Sequence, residues 1–325
     1  MKVLFIGGTG VISSASSELA IEKGYDLYHL NRGQSAVRPI SGVKHIYGDI
    51  RKSSEVVNVL KEYSFDVVVD WIAFTPEHIQ TDIELFRGRV GQFVFISSAS
   101  AYQTPPQTLP ITEKTPLDNP YWQYSRNKIA CERCLEKAHA DFDFPYTIVR
   151  PSHTYDKTLL PFHGGYTVLS RILEEKPVIL HGDGSSIWTL THNSDFARGF
   201  VGLLGNENAV GEAFHITGNE LITWQQIYES IAAAAGKKLN PVYVPSQVIA
   251  AYDSEWGASL LGDKTHSMIF DNSKINRLVP EFECRVPFAQ GASEMVGWYS
   301  SNPDYDTVDP SFDALIERII KEYNS

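Results

Sequence analysis

The sequence predicts an α/β protein built on a doubly wound parallel sheet, and three observations predict it. Short β-branched runs alternate with amphipathic stretches up to Arg150. A turn crowded with glycine, GGTG at residues 7–10, joins the first run to the first stretch. After Arg150 the rhythm breaks into loops rich in Pro, His and Gly. The runs at residues 3–7 (VLFIG), 26–30 (DLYHL), 44–47, 67–71 (VVVDW), 92–97 (QFVFIS) and 145–150 (PYTIVR) read as strands. Between them, residues 14–23, 55–62 and 77–86 carry helical patterns. Strand, helix and strand repeated in this way give a parallel sheet covered on both faces. Residues 1–150 are therefore expected to form one nucleotide-binding domain, and 151–325 a second, mainly substrate-binding region. Helical patterns recur there at 167–175, 194–204, 224–235 and 313–323, and a strand-like GEAFHITG at 211–218 is placed to return to the first sheet.

Composition excludes several classes of function. The 325 residues are 43% hydrophobic and 21% charged, which is ordinary for a folded protein and too apolar for a disordered one. A formal charge of −11 argues against nucleic acid, whose binding requires a basic surface to displace counterions. No apolar run is long enough to span a membrane. The apolar pattern begins at Val3, leaving no room for a signal peptide, so the expected compartment is the cytoplasm. Cys131 and Cys134 form a CxxC, but inside a helical pattern rather than at a helix start, which favours packing over redox chemistry. His153, His163 and His181 lie among the later loops as candidate substrate contacts, in no spacing that suits a metal, so no metal is expected.

The glycine loop follows a strand and opens a helix, the context a dinucleotide requires. A turn free of Cβ is needed at Gly7, close approach of a pyrophosphate needs another at Gly10, and the helix start at Val11 and Ile12 offers unpaired N–H groups. Ser13 stands where a third glycine would let helix and strand pack closely. The bland alternative is a glycine-rich turn without a ligand. The second strand ends in Asn31 and Arg32 where an acidic side chain would hold the ribose hydroxyls of NAD, and an arginine there pairs with a 2′-phosphate, so NADP is expected, with NAD as the alternative. Arg32 also reads as a solvated loop residue. Asp49, followed by Ile50, reads either as a partner for the adenine amino group or as a turn cap. Asp70 and Trp71 read as structural, with Ala73 and Phe74 lining the cofactor cleft.

Two later motifs define the expected chemistry. FVFISSASAY places Ser98 at the end of a strand, and YSRNK sets Tyr124 and Lys128 four apart, on one face of the next helix. YSRNK is the only tyrosine followed four residues later by lysine in the chain. A phenol with a pKa of about 10 is a poor base at neutral pH, and a neighbouring ammonium favours its ionised form. Ser98 is then expected to hold the oxygen of a carbonyl or alcohol while Tyr124 exchanges its proton and a nicotinamide exchanges a hydride.

With these motifs the sequence resembles the extended short-chain dehydrogenase/reductases, specifically the NAD-dependent epimerase/dehydratase family. The resemblance runs from FIGGTGVIS through GDI, FVFISSASAY, YSRNK and TIVRPS to HGDGSSIWTLTHNSDFARG, GEAFHITG and FDNSKINRL, nearly the whole chain. It implies a Rossmann domain with a smaller C-terminal substrate domain, and catalytic roles for Ser98, Tyr124 and Lys128. The implied cofactor contacts are Gly7, Gly10, Val11, Ile12, Asn31, Arg32, Asp49, Ile50, Ala73, Lys128 and Pro151. It also implies a sugar-like substrate and a homodimer through the helices near 77–86 and 121–139. The chain departs from the family at Trp188, which stands where members acting on nucleotide-diphosphate sugars carry an arginine after GDG. A second such arginine is missing from SLLGDKTHSMIFDNSK. Trp188 and His153 are the candidate substrate contacts, Trp188 reading either as a stacking platform or as core. In this it is similar to atypical members such as chloroplast stem-loop-binding proteins. A non-catalytic NAD(P)-binding or RNA-associated protein is therefore the alternative to an oxidoreductase, epimerase or dehydratase.

Overall fold

The computed structural model describes residues 1–33 and 40–323. Six strands and their helices follow the expected alternation: β1 (Lys2–Ile6), α1 (Val11–Glu22), β2 (Asp26–Asn31), β3 (Lys44–Tyr47), α2 (Ser53–Leu60), β4 (Val67–Asp70), α3 (Pro76–Phe86), β5 (Gln92–Ile96), α4 (Gln123–Phe142) and β6 (Tyr146–Pro151). With the strand Glu212–Ile216 they form one seven-stranded sheet, in which that strand is followed in space by β6, β5, β4, β1, β2 and β3. All neighbours are parallel, with Leu4 beside Tyr28 of β2 and Val68 of β4, and Ala213 beside Ile148 of β6. The strand order reverses at β1, so a crevice opens between the loops that leave β1 and β4.

Alternation along the strands explains why both faces are covered. Val3 and Phe5 of β1 point into one layer with Val67, Val69, Phe196 and Phe200. Leu4 and Ile6 point into the other with Val68, Phe93, Leu85 and Leu135. Each strand residue alternates faces, so a sheet buried on both sides reads as a continuous apolar run. Phe196 and Phe200 belong to the helix Asn193–Val201, which lies against α1, with Asn193 Nδ2 donating to the Val11 carbonyl at 3.2 Å. The second half of the chain thus supplies both a strand and a covering helix to the sheet of the first.

A third apolar layer, including Trp188, Trp224, Trp256, Phe288 and Phe312, lies entirely beyond β6 in sequence apart from a few residues near Tyr102. The pairs Val178–His181 with Pro241–Val244, His153–Tyr155 with Leu190–His192, and Ile187–Trp188 with Ile222–Thr223 fix its loops. These strands have two to four residues, too short to show a period, so the sequence pattern does not reveal them. The helix Phe288–Ser301 is a further element beyond the sequence-based expectation. No helix among the described residues is long and apolar enough to cross a membrane.

Candidate active site

The cofactor cleft grows out of the turn after β1. Gly7 and Gly8 have φ of 97° and 104°, a region that excludes most side chains, and a Cβ on Gly8 would lie 2.6 Å from the His29 ring. Ser13 has a positive use at the third position: its Oγ accepts the Gly10 N–H at 2.8 Å, pinning the loop to the first turn of α1. The cleft is about 710 Å³ and is lined by Gly7, Thr9, Asn31, Arg32, Asp49, Ile50 and Arg51, with Ile72, Phe74 and His78 opposite. Glycine at positive φ, the orphan amides at the start of α1 and a cleft of this size suit a dinucleotide. Gly10, Val11 and Ile12 lie beside this lining at the start of α1. Ala73 departs from expectation: its side chain is fully buried and only its carbonyl is used, while its neighbour Phe74 lines the cleft. Asp49 caps its turn, Oδ1 accepting the Arg51 N–H at 3.0 Å.

At the far side of β5 the expected catalytic residues come together. Tyr124 and Ser98 line one chamber together, and the Ser98 hydroxyl is the neighbour that favours the ionised phenol. Ser98 is held in turn, its Oγ lying 2.9 Å from Ser100 Oγ and accepting the Ser100 N–H at 3.2 Å. Ser125 donates to the same Ser100 hydroxyl at 2.7 Å, and Asn119 Nδ2 donates to the Ser100 carbonyl at 2.8 Å. Lys128 lies one turn beyond Tyr124 on α4, buried, its ammonium donating to the carbonyls of Ala73 and Ile96 at 2.7 Å each. Phe74, Phe95 and Tyr124 surround it, with ring centroids 4.7, 4.8 and 5.7 Å away.

The electrostatics differ from the sequence-based expectation. Burial pushes the Tyr124 phenol up to about 12; the Ser98 hydroxyl counters this and the Asp263 carboxylate reinforces it. Lys128 is not among the groups that lower Tyr124: brought down to about 8, it has lost its charge before a phenol at about 12 ionises. Burial causes that lowering of Lys128, against the opposing pull of Cys131, Asp70 and Glu132. A tyrosine of this kind is protonated at neutral pH and is a proton donor first.

Behind the site, Glu132 of α4 takes the Arg150 guanidinium of β6 with both oxygens, at 3.0 and 2.6 Å, and accepts from Ser97 at 2.5 Å. Arg150 also reaches the Tyr102 hydroxyl at 3.1 Å. This buried pair joins α4, β5 and β6 and so fixes Ser98 relative to Tyr124. Cys131 belongs to the same helix interior; burial pushes its thiol up to about 12, the signature of packing rather than reactivity.

One chamber adjoins the Ser98 and Tyr124 side chains, and a second adjoins the first. The inner, about 210 Å³, is lined by Ser98, Tyr124, Pro151, His153, Trp188 and Asp263 among others. The outer, about 310 Å³, shares Trp122, His153 and Lys264 with it and adds Phe162, His163, His181, Trp224, Tyr228 and Trp256. Pro151, expected at the cofactor, lines the inner chamber. Trp188 is 3% exposed yet lines that chamber, so its two readings merge into a core residue with one face on the site. Asp263 and Lys264 are site residues that sequence reasoning misses. A π-helical turn, Leu260–Lys264, projects them inward, closed by the Thr265 N–H on the Leu260 carbonyl at 2.9 Å. Their one signal is the GDK motif, which in the sequence stands out only for a missing arginine. Among the described residues no three His, Cys, Asp or Glu are grouped to hold a metal.

Comparison with known proteins agrees with this geometry. Residues 3–217 match the model of the NAD dependent epimerase/dehydratase family. The chain is 25% identical over 297 residues to the 2′-dehydrokanamycin reductase of Streptomyces kanamyceticus, covering 88% of this chain and 81% of that protein. It is 26% identical over 249 residues to the chloroplast stem-loop binding protein of 41 kDa b of Arabidopsis thaliana, covering 72% and 63%. The crystal structure of UDP-glucuronic acid 4-epimerase from Bacillus cereus, in complex with UDP-glucuronic acid and NAD, shares the fold with a TM-score of 0.74 at 20% identity, over 93% of this chain and 99% of that one. With a glycine turn at a reversed strand order and a family match spanning the whole of that sheet, the chain belongs to the NAD-dependent epimerase/dehydratase family.

Proposed function

We propose that this protein is an oxidoreductase that transfers a hydride between a nicotinamide cofactor and a carbonyl or alcohol carbon of a sugar-like substrate. The observation that carries this reading is that Ser98 and Tyr124 line the inner chamber together, with the Lys128 ammonium one helical turn away and 5.7 Å from the Tyr124 ring centroid. When bound, the nicotinamide supplies or accepts the hydride. In the reductive direction the Tyr124 hydroxyl gives its proton to the carbonyl oxygen as the hydride reaches carbon, and the carbonyl becomes an alcohol. Ser98 donates a hydrogen bond to the same oxygen, and Lys128 offsets the charge left on Tyr124 until solvent returns the proton. In the oxidative direction each transfer reverses.

NADP is the proposed cofactor, because β2 ends in Asn31, is followed by Arg32, and presents no carboxylate to a 2′-hydroxyl. Mass spectrometry of the nucleotide released by denaturing the purified protein tests this, together with titration of the emptied protein. Binding of NADPH at least tenfold tighter than NADH, lost in Arg32→Ala, is the expected result. Tightly retained NAD contradicts the NADP assignment and points to internal return of the hydride, as an epimerase requires.

A further inference from the structure

The charges around the two chambers restrict what lies beyond the reacting carbon. Among the described residues, Lys264 is the one lysine or arginine lining either chamber, and its ammonium is already paired with Asp263 at 3.1 Å. His153, His163 and His181 are all held below the usual imidazole value by burial, and are therefore neutral at pH 7. The carboxylates facing His163 are Asp253 and Glu255. Asp253 Oδ1 accepts the N–H groups of Glu255 and Trp256 at the start of the short helix Ser254–Ser259, so those donors are used. A pyrophosphate in this setting would surrender its hydration with no cation or free helix terminus to replace it, and its desolvation would go uncompensated.

What the walls do offer is aromatic surface and neutral donors. Trp122, Phe162, Trp224, Tyr228 and Trp256 line the outer chamber. The indole N–H groups of Trp188 and Trp224 are buried and have no partner among the described residues. Closed off from the chambers, these two leave the hydroxyls of Ser98 and Tyr124 and the neutral imidazoles as the polar partners a bound molecule meets. Flat aromatic faces cover the C–H face of a pyranose and exclude water from it.

Resting on the hydride-transfer reading above, we propose that the substrate is an uncharged glycoside rather than a nucleoside-diphosphate sugar. The reacting ring sits in the inner chamber against Ser98 and Tyr124, and a second neutral ring or apolar aglycone stacks in the outer one. Calorimetric titration of the intact protein with phenyl β-D-glucopyranoside and with UDP-glucose tests this. The glucoside is expected to bind at least tenfold more tightly than UDP-glucose, and Trp256→Ala to weaken it at least fivefold. Because Trp256 also packs on Phe312, a second variant is needed. Leu159→Arg adds a cation at an exposed position of the outer chamber, and should shift the affinity ratio at least tenfold toward UDP-glucose. Tighter binding of UDP-glucose by the unaltered protein, or no binding of the glucoside, overturns the proposal. These readouts are equilibria and stand apart from turnover, so a failure of hydride transfer is recognised separately by substitution of Tyr124.

Discussion

The cofactor cleft and the substrate chambers are built in opposite ways. The cleft is assembled from the ends of consecutive strands, with Gly7 after β1, Asn31 at the end of β2 and Asp49 after β3. Each of its residues sits where a short local pattern puts it. The chambers draw Ser98 from the end of β5, Tyr124 from α4, His153 from the short strand after β6, Trp188 from a two-residue strand and Asp263 from a π-turn. On the proposed reading, binding of a common nucleotide is encoded locally, while substrate choice is encoded by long-range packing that can vary without disturbing the sheet.

The buried wall behind the site is the place where that division should fail. Glu132 and Arg150 are buried and join α4 to β6, so removing one partner strands the other's charge. Glu132→Ala is expected to cost about 3 to 5 kcal/mol in chemical denaturation, a larger loss than any single change in the cleft. Replacing both partners by apolar residues should cost far less. Equal losses from the single and double changes would show that packing rather than charge holds the wall.

Within the cleft the effect should be smaller and local. Gly8→Ala forces an L-residue to a φ of 104° and sets its Cβ against His29. A loss on the order of 1 to 3 kcal/mol is expected, with weakened nucleotide binding. Glucoside affinity should stay within twofold of the unaltered protein, and a parallel fall in both affinities would contradict separate construction of the two regions.

A pH titration gives the most specific effect. Lys128 is held at about 8 in the folded chain, below the roughly 10.4 of an exposed lysine. Between these values the folded protein has released a proton that the unfolded chain still carries, so this residue's contribution to stability rises with pH across that window. Denaturant titrations at pH values of about 7.5 and 10 should show the rise relative to Lys128→Met, which lacks it. Hydride transfer should fall over the same window as the ammonium is lost. A pH dependence shared by the methionine variant would assign it elsewhere.

The difference between the regions also explains what the sequence makes legible. The parallel sheet is readable because Val67–Asp70 and Gln92–Ile96 are short β-branched or aromatic runs that must be buried on both faces. The cleft is readable because Gly7 needs a positive φ and Arg32 follows a strand directly. Asp263 and Lys264 are hidden because a π-turn has no sequence period and their neighbours Trp122 and His153 are more than a hundred residues away in the chain. Spacing places Lys128 on the face of Tyr124 but does not tell how deeply the pair is buried, and burial is what raises the phenol and lowers the ammonium.

The central claim is that Tyr124 moves the proton. The measurement that tests it most directly is single-turnover hydride transfer in Tyr124→Phe beside nucleotide affinity in the same preparation, once a turned-over glycoside is in hand. The account predicts a loss on the order of a hundredfold or more in transfer with nucleotide affinity unchanged within a few fold. Transfer at the unaltered rate in the phenylalanine variant would contradict it.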